Sequence, residues 1–239
     1  MKVTLISHTP DAAELLIFTK NTRLQMTPGA LEEIKAWPEE RKLQELTYMA
    51  NTIPSSWEFV DYVFAVEGVS RAYTHQQVRT RTASYAQQSM RVVKMERFGF
   101  VWPSRIHPHS EAYSVMRSVV DVIQAGYDRL VGAGVAPEDA RAILPTNIST
   151  NIVCKFNLRT LAELARSRAG GRTQGEYRDV VVAMIEAVVA VHPWAEVFLA
   201  PKGRNYFDEI EAFAEAEFGG DLIKKGQLLK IVDHMRKEA

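Results

Sequence analysis

Residues 79–91 read RTRTASYAQQSMR, three arginines interleaved with glutamine, serine and threonine directly after an apolar segment. A guanidinium is always charged and presents five N–H donors in a planar fork, so such a cluster is either solvated surface or a seat for a dianion. The flanks favour the second reading. On the N-terminal side, Val69–Arg79 has the pattern of a short helix. Before it lies the extended run WEFVDYVFAVEG (57–68), whose Phe59, Tyr62, Phe64 and Val66 suit a pleated, half-buried surface. On the C-terminal side, RVVKME (91–96) and FGFVW (98–102) read as two strands that stop at Pro103. Arg79, Arg81 and Arg91 thus fall at a strand–turn–strand junction beside Gln76, Gln87 and Ser89. That setting suits a preorganised reader of a phosphate and a uracil edge. Arg71, Arg166 and Arg178 read instead as solvated helix faces.

Farther out, the chain opens with a strand (Lys2–Ser7), a helix after Pro10 and Asp11, and a helix around Glu39–Asn51 that ends before Pro54. The second half is mostly helical. Residues 108–134 carry apolar positions at helical spacing and finish on glycine, and a short turn of helix begins at Pro137 and breaks at Pro145. The β-branched run ISTNIVCKFN (148–157) reads as a strand, followed by a helix that stops at Gly170 and Gly171. A long helix from about Glu176 to Val191 and two amphipathic helices in the tail complete the pattern, which predicts a mixed α/β domain.

Composition bounds the function. With 239 residues, 46% hydrophobic and 24% charged, the chain is long enough for a sizeable core, and no repeat or linker divides it. Residues 1–239 read as one domain. The formal net charge of +0 gives no overall attraction to nucleic acid or an anionic membrane, so anion recognition must be local. The lone Cys154 and the absence of a signal-like N-terminus predict a reducing, cytoplasmic setting. The longest apolar stretch is interrupted by Glu186 and is too short to span a bilayer.

Several chemistries drop out. The six histidines are scattered, and His107 with His109 has no companion ligands, so no metal is expected. AGGRTQGE (169–176) lacks the strand context and the Lys-Ser/Thr ending of a phosphate loop. Ser89 with His75 as base lacks an orienting acid and a nucleophile elbow. Polar clusters on loops and helix ends remain: the 79–91 group, Arg141 before AILP, then Asn157, Arg159, Arg166, Arg168 and Arg172.

Arg79-Thr80-Arg81, seven residues, then Ser89 resembles the R-H-R-x7-S signature of the flavin-dependent thymidylate synthases. The flanks EGVSRAYTHQQV and ASYAQQSMR resemble that family too. So do DARAILP, TNIVCKFNLRTL and RAGGRTQGEYR, in the same order and spacing, so the resemblance covers about residues 58 to 194. It implies an α/β fold with a central, largely antiparallel sheet flanked by helices, assembled as a homotetramer with active sites between subunits. It also implies FAD as cofactor, with NADPH and methylenetetrahydrofolate as co-substrates for methylation at C5 of a uracil nucleotide. By position, Gln76, Arg79, Gln87, Ser89, Arg91, Arg141 and Arg168 would hold the nucleotide, Arg168 and Ser89 closest to the chemistry. Arg79, Thr80, Arg81, Asn157, Arg159, Glu163 and Arg172 would fall near FAD, with Arg79 shared.

Four positions depart from the family pattern. Thr80 replaces the motif histidine, Glu163 a histidine or asparagine, Val92 an aromatic residue and Gly175 a tryptophan. These changes are compatible with the family's UMP C5-methylase branch of polyoxin-type nucleoside antibiotic biosynthesis, acting on UMP and dUMP. The alternatives are an ordinary enzyme acting on dUMP only, or a non-catalytic nucleotide-binding relative whose flavin contacts have decayed. Retention of Ser89, Arg91, Arg141 and Arg168 together favours an enzyme.

Overall fold

The computed structural model describes residues 1–22, 27–52, 54–91, 99–170, 173–200, 210, 213–214, 216–218 and 220–238. Two compact units emerge, Met1–Ala200 and Pro201–Ala239. The first is built on a four-stranded antiparallel sheet in the order β1-β2-β4-β3. Its strands are β1 (Lys2–His8), β2 (Asp61–Ser70), β3 (Ala83–Gln87) and β4 (Ser149–Asn157).

One sheet face makes the core. Alternation places Tyr62, Phe64 and Val66 of β2 and Ile152, Cys154 and Phe156 of β4 inward, while Asn151 and Val153 stay exposed. Each buried large side chain contributes roughly 1.5–3 kcal/mol. Register follows: Phe64 faces Cys154, and Cys154 faces Tyr85. Between Val66 and Val69 the register slips, and Gly68 takes a φ of 67° there, a conformation that favours glycine. The extended run expected over 57–68 is therefore corrected at its start. Residues Pro54–Phe59 form a 3-10 turn that buries Trp57 and turns Phe59 out to solvent, and the strand begins at Asp61.

Helices accompany the sheet, most of them covering its inner face. These are α1 (Ala12–Asn21), α2 (Ala30–Lys35), α3 (Glu39–Thr52), α4 (Arg71–Gln77), α5 (Glu111–Gly132), α6 (Pro137–Ala140), α7 (Leu158–Arg168), α8 (Gly175–Val191) and α9 (Glu196–Leu199). In α7 the carboxamide oxygen of Asn157 accepts from the Thr160 amide at 2.8 Å, and Leu158, Leu161, Leu164 and Ala165 point inward at helical spacing. Helix α8 packs Tyr177, Val180, Val181, Met184 and Val188 onto the same core. Buried Lys42 of α3 is held by Glu14 at 2.7 Å and Glu39 at 2.9 Å, which satisfies its charge.

A second, smaller core lies apart, made by Tyr127 of α5, Ala140 of α6 and Ile148, with Met90, Phe100, Leu130, Val131, Val135 and Leu144 against it. Helix α5 buries only Val120 and Tyr127 and leaves Val115, Val119 and Val122 exposed along its length. Two strands are expected after Arg91, and the first of them falls outside the described residues. Residues 92–98 lie outside the described residues, and of the second strand Phe100 makes an isolated bridge to Ile148. In the second unit, the helix Leu222–Glu238 buries Val232, and Phe213 meets Phe218 edge-on at 6.3 Å. The other helix expected in the tail lies partly outside the described residues.

Candidate active site

The stretch 79–91 holds the turn that follows α4 and the short strand β3, so the arginine pair sits between a helix and a strand; the strand expected from Arg91 on lies outside the described residues. After α4, the amides of Arg79 and Thr80 donate to the Gln76 and Gln77 carbonyls at 3.2 and 3.1 Å, and β3 follows at once. Tyr85 of β3 staples this turn from below. Its hydroxyl donates to the carbonyls of Gln77 at 2.8 Å and Thr80 at 2.9 Å, and burial pushes its pKa up to about 12. The Arg79 and Arg81 side chains are therefore presented outward from a fixed backbone, and among the described residues neither meets a carboxylate. Gln87 donates to the Thr74 hydroxyl at 2.8 Å, and Gln76 to the Gln174 side chain at 2.6 Å.

Ser89, Arg91 and Arg141 come together on the small core. Met90 packs into it between Ser89 and Arg91, and Ala140 anchors the residue before Arg141. The Ser89 hydroxyl accepts from the Arg91 amide at 3.1 Å, and Arg91 Nε donates to the Glu138 carboxylate at 2.6 Å. Arg141 Nε donates to the Glu138 carbonyl at 2.9 Å. No histidine or carboxylate reaches Ser89 among the described residues, which leaves its hydroxyl as a ligand contact rather than an activated nucleophile. Arg71 is the correction here. It is half-buried, not a solvated helix face, and its guanidinium donates to the Gln88 carbonyl at 2.7 Å. Burial first, and then the charge of Arg141, lower its pKa.

The second group rides on α7. Arg159 donates to Glu58 at 2.7 Å and to Glu163 at 3.3 Å, and these bonds raise its pKa. At the far end of the helix, the Arg168 guanidinium lies 5.4 Å from the Tyr177 ring centroid. Burial raises the Tyr177 pKa, while Thr80 and Arg168 pull it the other way. Tyr177 thus ties the motif turn to the end of α7. Arg172 and Val92 lie outside the described residues. Among the described residues no hydrogen bond or ion pair joins the Ser89–Arg91–Arg141 group to the α7 group.

The family described as thymidylate synthase complementing protein matches residues 4–194. The chain belongs to that family. It is 32% identical over 211 residues to the flavin-dependent thymidylate synthase of Clostridium tetani, covering 81% of this chain and 84% of that protein. It is 33% identical over 200 residues to that of Geobacter sulfurreducens, again covering 81% and 84%. Against that of Thermococcus onnurineus, identity rises to 41% over 126 residues, 51% of each chain.

Family membership directs attention to a cavity of about 240 Å³ beside α7, lined by Arg159, Glu163 and Arg166 together with Trp57 and residues 50–52 and 54. Two guanidiniums there can meet a diphosphate bidentately, and the buried Trp57 Nε1 has no hydrogen-bond partner among the described residues. These residues fit one end of an anionic dinucleotide. The volume falls below the roughly 300–1,000 Å³ that encloses a drug-sized ligand, so one chain supplies part of such a site.

Sequence reasoning passed over Glu58, Glu138, Tyr177 and Glu176. Glu176 accepts from the Ser70 amide at 2.7 Å and hydroxyl at 2.5 Å, which fixes the start of α4. Only Glu138 carried a local signal, three residues before Arg141. The others are defined by partners about a hundred residues away. Among the described residues, no three of His, Cys, Asp and Glu gather as metal ligands, and no helix is long and apolar enough to cross a membrane.

Proposed function

We propose that this chain is a flavin-dependent methyltransferase that carries a one-carbon unit from methylenetetrahydrofolate to C5 of a uracil nucleotide, with NADPH as reductant. The observation that carries the reading is the convergence of Ser89 and Arg91 from one segment and Arg141 from another onto one small core, with more cation than carboxylate. In this reading Gln76, Arg79, Gln87, Ser89, Arg91, Arg141 and Arg168 hold the nucleotide, and Arg168 meets charge that grows on the uracil ring as C5 becomes nucleophilic. Arg79, Thr80, Arg81, Asn157, Arg159, Glu163 and Arg172 hold FAD, which supplies the redox chemistry when bound. Residues 1–239 act as one functional domain in a cytoplasmic enzyme.

The active sites lie between subunits of a homotetramer. Three observations support this: the two arginine groups stay separate within one chain, the α7 cavity is too small for a whole dinucleotide, and α5 presents exposed Val115, Val119 and Val122. Substrates include UMP as well as dUMP. Gly175 supports this, because the position that carries a tryptophan in the family pattern has no side chain here, and a Cβ at it would stand in contact with the Ser104 hydroxyl at 3.5 Å. A role in nucleoside antibiotic biosynthesis follows from that breadth.

The test is direct. After FAD soaking, the purified protein should absorb as a flavoprotein, scatter as a tetramer, and methylate both nucleotides with the folate and NADPH. A flavin-free monomer would sink the reading. A preference for dUMP well above roughly 100-fold would return it to ordinary thymidylate synthesis, since rejecting one added hydroxyl without a polar trap is typically limited to that factor.

A further inference from the structure

In the function proposed above, Arg168 meets the charge that grows on the uracil ring, yet it stands in the last turn of α7 with an exposed side chain. A cation there suits the end of a helix dipole, but the dipole does not aim it. Among the described residues no carboxylate meets Arg168 either. A long side chain left to solvent keeps its rotamer freedom, whereas a group directed at developing charge must be held in one orientation. The group that meets it is Tyr177, whose ring centroid lies 5.4 Å from the guanidinium, within cation–π range.

Tyr177 is itself fixed by its surroundings. It is buried, its ring meets Tyr73 edge-on at 5.3 Å, and the residue before it, Glu176, holds the start of α4 through Ser70. Tyr73 donates to the Gln77 side chain at 3.2 Å, and Gln77 donates to the hydroxyl of Tyr85 at 3.4 Å, which staples the turn before β3. The Tyr177 hydroxyl completes this network on the other side. Burial raises its pKa, and hydrogen bonds to the Thr80 and Arg168 side chains act against that rise. A core position needs only the ring, because phenylalanine would fill the same space without a polar atom to satisfy. The hydroxyl is what packing does not explain, and its partners are the motif turn and Arg168.

We propose that Tyr177 is a positioning residue for the methylation step: its ring and hydroxyl hold the Arg168 guanidinium in the orientation that meets the uracil ring. This rests on the function proposed above and on the role given there to Arg168. Tyr177 transfers no proton and touches no substrate; it acts through Arg168 alone.

A double-mutant cycle on FAD-loaded protein decides it, with dUMP turnover measured at saturating folate and NADPH. Tyr177→Phe keeps the ring and should lower kcat by roughly 3- to 10-fold, the scale of one hydrogen bond, with KM for dUMP within about twofold. Tyr177→Leu removes the ring as well and should lower kcat by roughly 10- to 100-fold. Neither change should lower kcat further once Arg168 is alanine, since the group they position is gone. Either variant carries the cycle if the other loses its cooperative melt. Losses that multiply with that of Arg168→Ala would make Tyr177 a prop of the core and overturn the inference, as would an unchanged kcat in both folded variants. An effect of Arg168→Ala without one at Tyr177 overturns this inference alone. Unchanged kcat in Arg168→Ala would overturn the role of Arg168 and this inference with it, and wild-type protein that methylates neither dUMP nor UMP would overturn the function itself.

Discussion

Around Arg159 one guanidinium meets two carboxylates, Glu58 at 2.7 Å and Glu163 at 3.3 Å; around Arg141 the Glu138 carboxylate is taken by Arg91 at 2.6 Å, while Arg141 reaches the Glu138 carbonyl and Arg71 the Gln88 carbonyl. Arg159 is neutralised by the chain itself, so the diphosphate proposed to bind there would compete with protein carboxylates. Those pairs are solvent-exposed and each contributes about 0–1 kcal/mol, so the competition is mild. The Arg141 group repels itself until an anion arrives, and a ligand that relieves repulsion stabilises the folded state by mass action. One region is arranged to be held in place, the other to be completed.

The largest effect that can break this comparison is expected at Arg168, which belongs to the α7 helix yet is assigned to the nucleotide. Arg168→Ala should lower kcat by roughly 10²- to 10³-fold, as removal of a donor aimed at developing charge does. Steady-state kinetics at saturating folate and NADPH measure it. If kcat holds and only KM rises, Arg168 binds ground and transition states equally and its role near C5 is wrong.

Next in size is the self-repelling group. Arg141→Ala should raise KM for the nucleotide by roughly 10- to 100-fold, with a smaller fall in kcat. Glu138→Gln removes the carboxylate that holds Arg91 and should act in the opposite direction, tightening dUMP a few-fold. Equal and same-signed effects of the two variants would show that the surplus of positive charge is not what recruits the substrate.

How far the sequence disclosed these two regions depends on how local each signal is. The alternation of Tyr62, Phe64 and Val66 and of Ile152, Cys154 and Phe156 marks the two central strands, because burial on one face imposes period two. Strand β3 was not legible: ASYAQ has one large apolar residue and pairs only with β4, sixty residues on. Phe59 misled for a related reason, since a single 3-10 turn reverses which aromatic faces inward. Arg79, Arg91, Arg141 and Arg159 could be singled out by composition and by resemblance to a family. What neutralises Arg91 and Arg159 could not, because Glu58 lies 101 residues from Arg159 and Glu138 lies 47 from Arg91.

A few-fold change is expected where the chain neutralises itself. Glu163→Gln leaves Arg159 with Glu58 alone and should tighten FAD about two- to fivefold, the scale of one exposed ion pair. Flavin fluorescence titration of the apoprotein reads this without turnover. Weaker FAD binding in this variant would mean that Glu163 holds Arg159 in its productive orientation, and the α7 pair would then be a positioning device rather than a competitor.

The smallest effect is expected at Cys154, and it bears on whether the two arginine groups carry the chemistry at all. A thiol nucleophile would make both of them accessories. Cys154 is fully buried, paired across the sheet with Phe64 on one side and Tyr85 on the other, and burial pushes its pKa up to about 12. At pH 7 only about one molecule in 10⁵ would carry the thiolate, and none of it would face solvent. Cys154→Ala should therefore leave kcat and both KM values unchanged within about twofold, while chemical denaturation shows a loss of about 1 kcal/mol from the small void left in the core. Complete loss of turnover in a variant that still melts cooperatively would restore a thiol mechanism, and the division of labour between the Arg141 and Arg159 groups would have to be abandoned with the flavin reading that it serves.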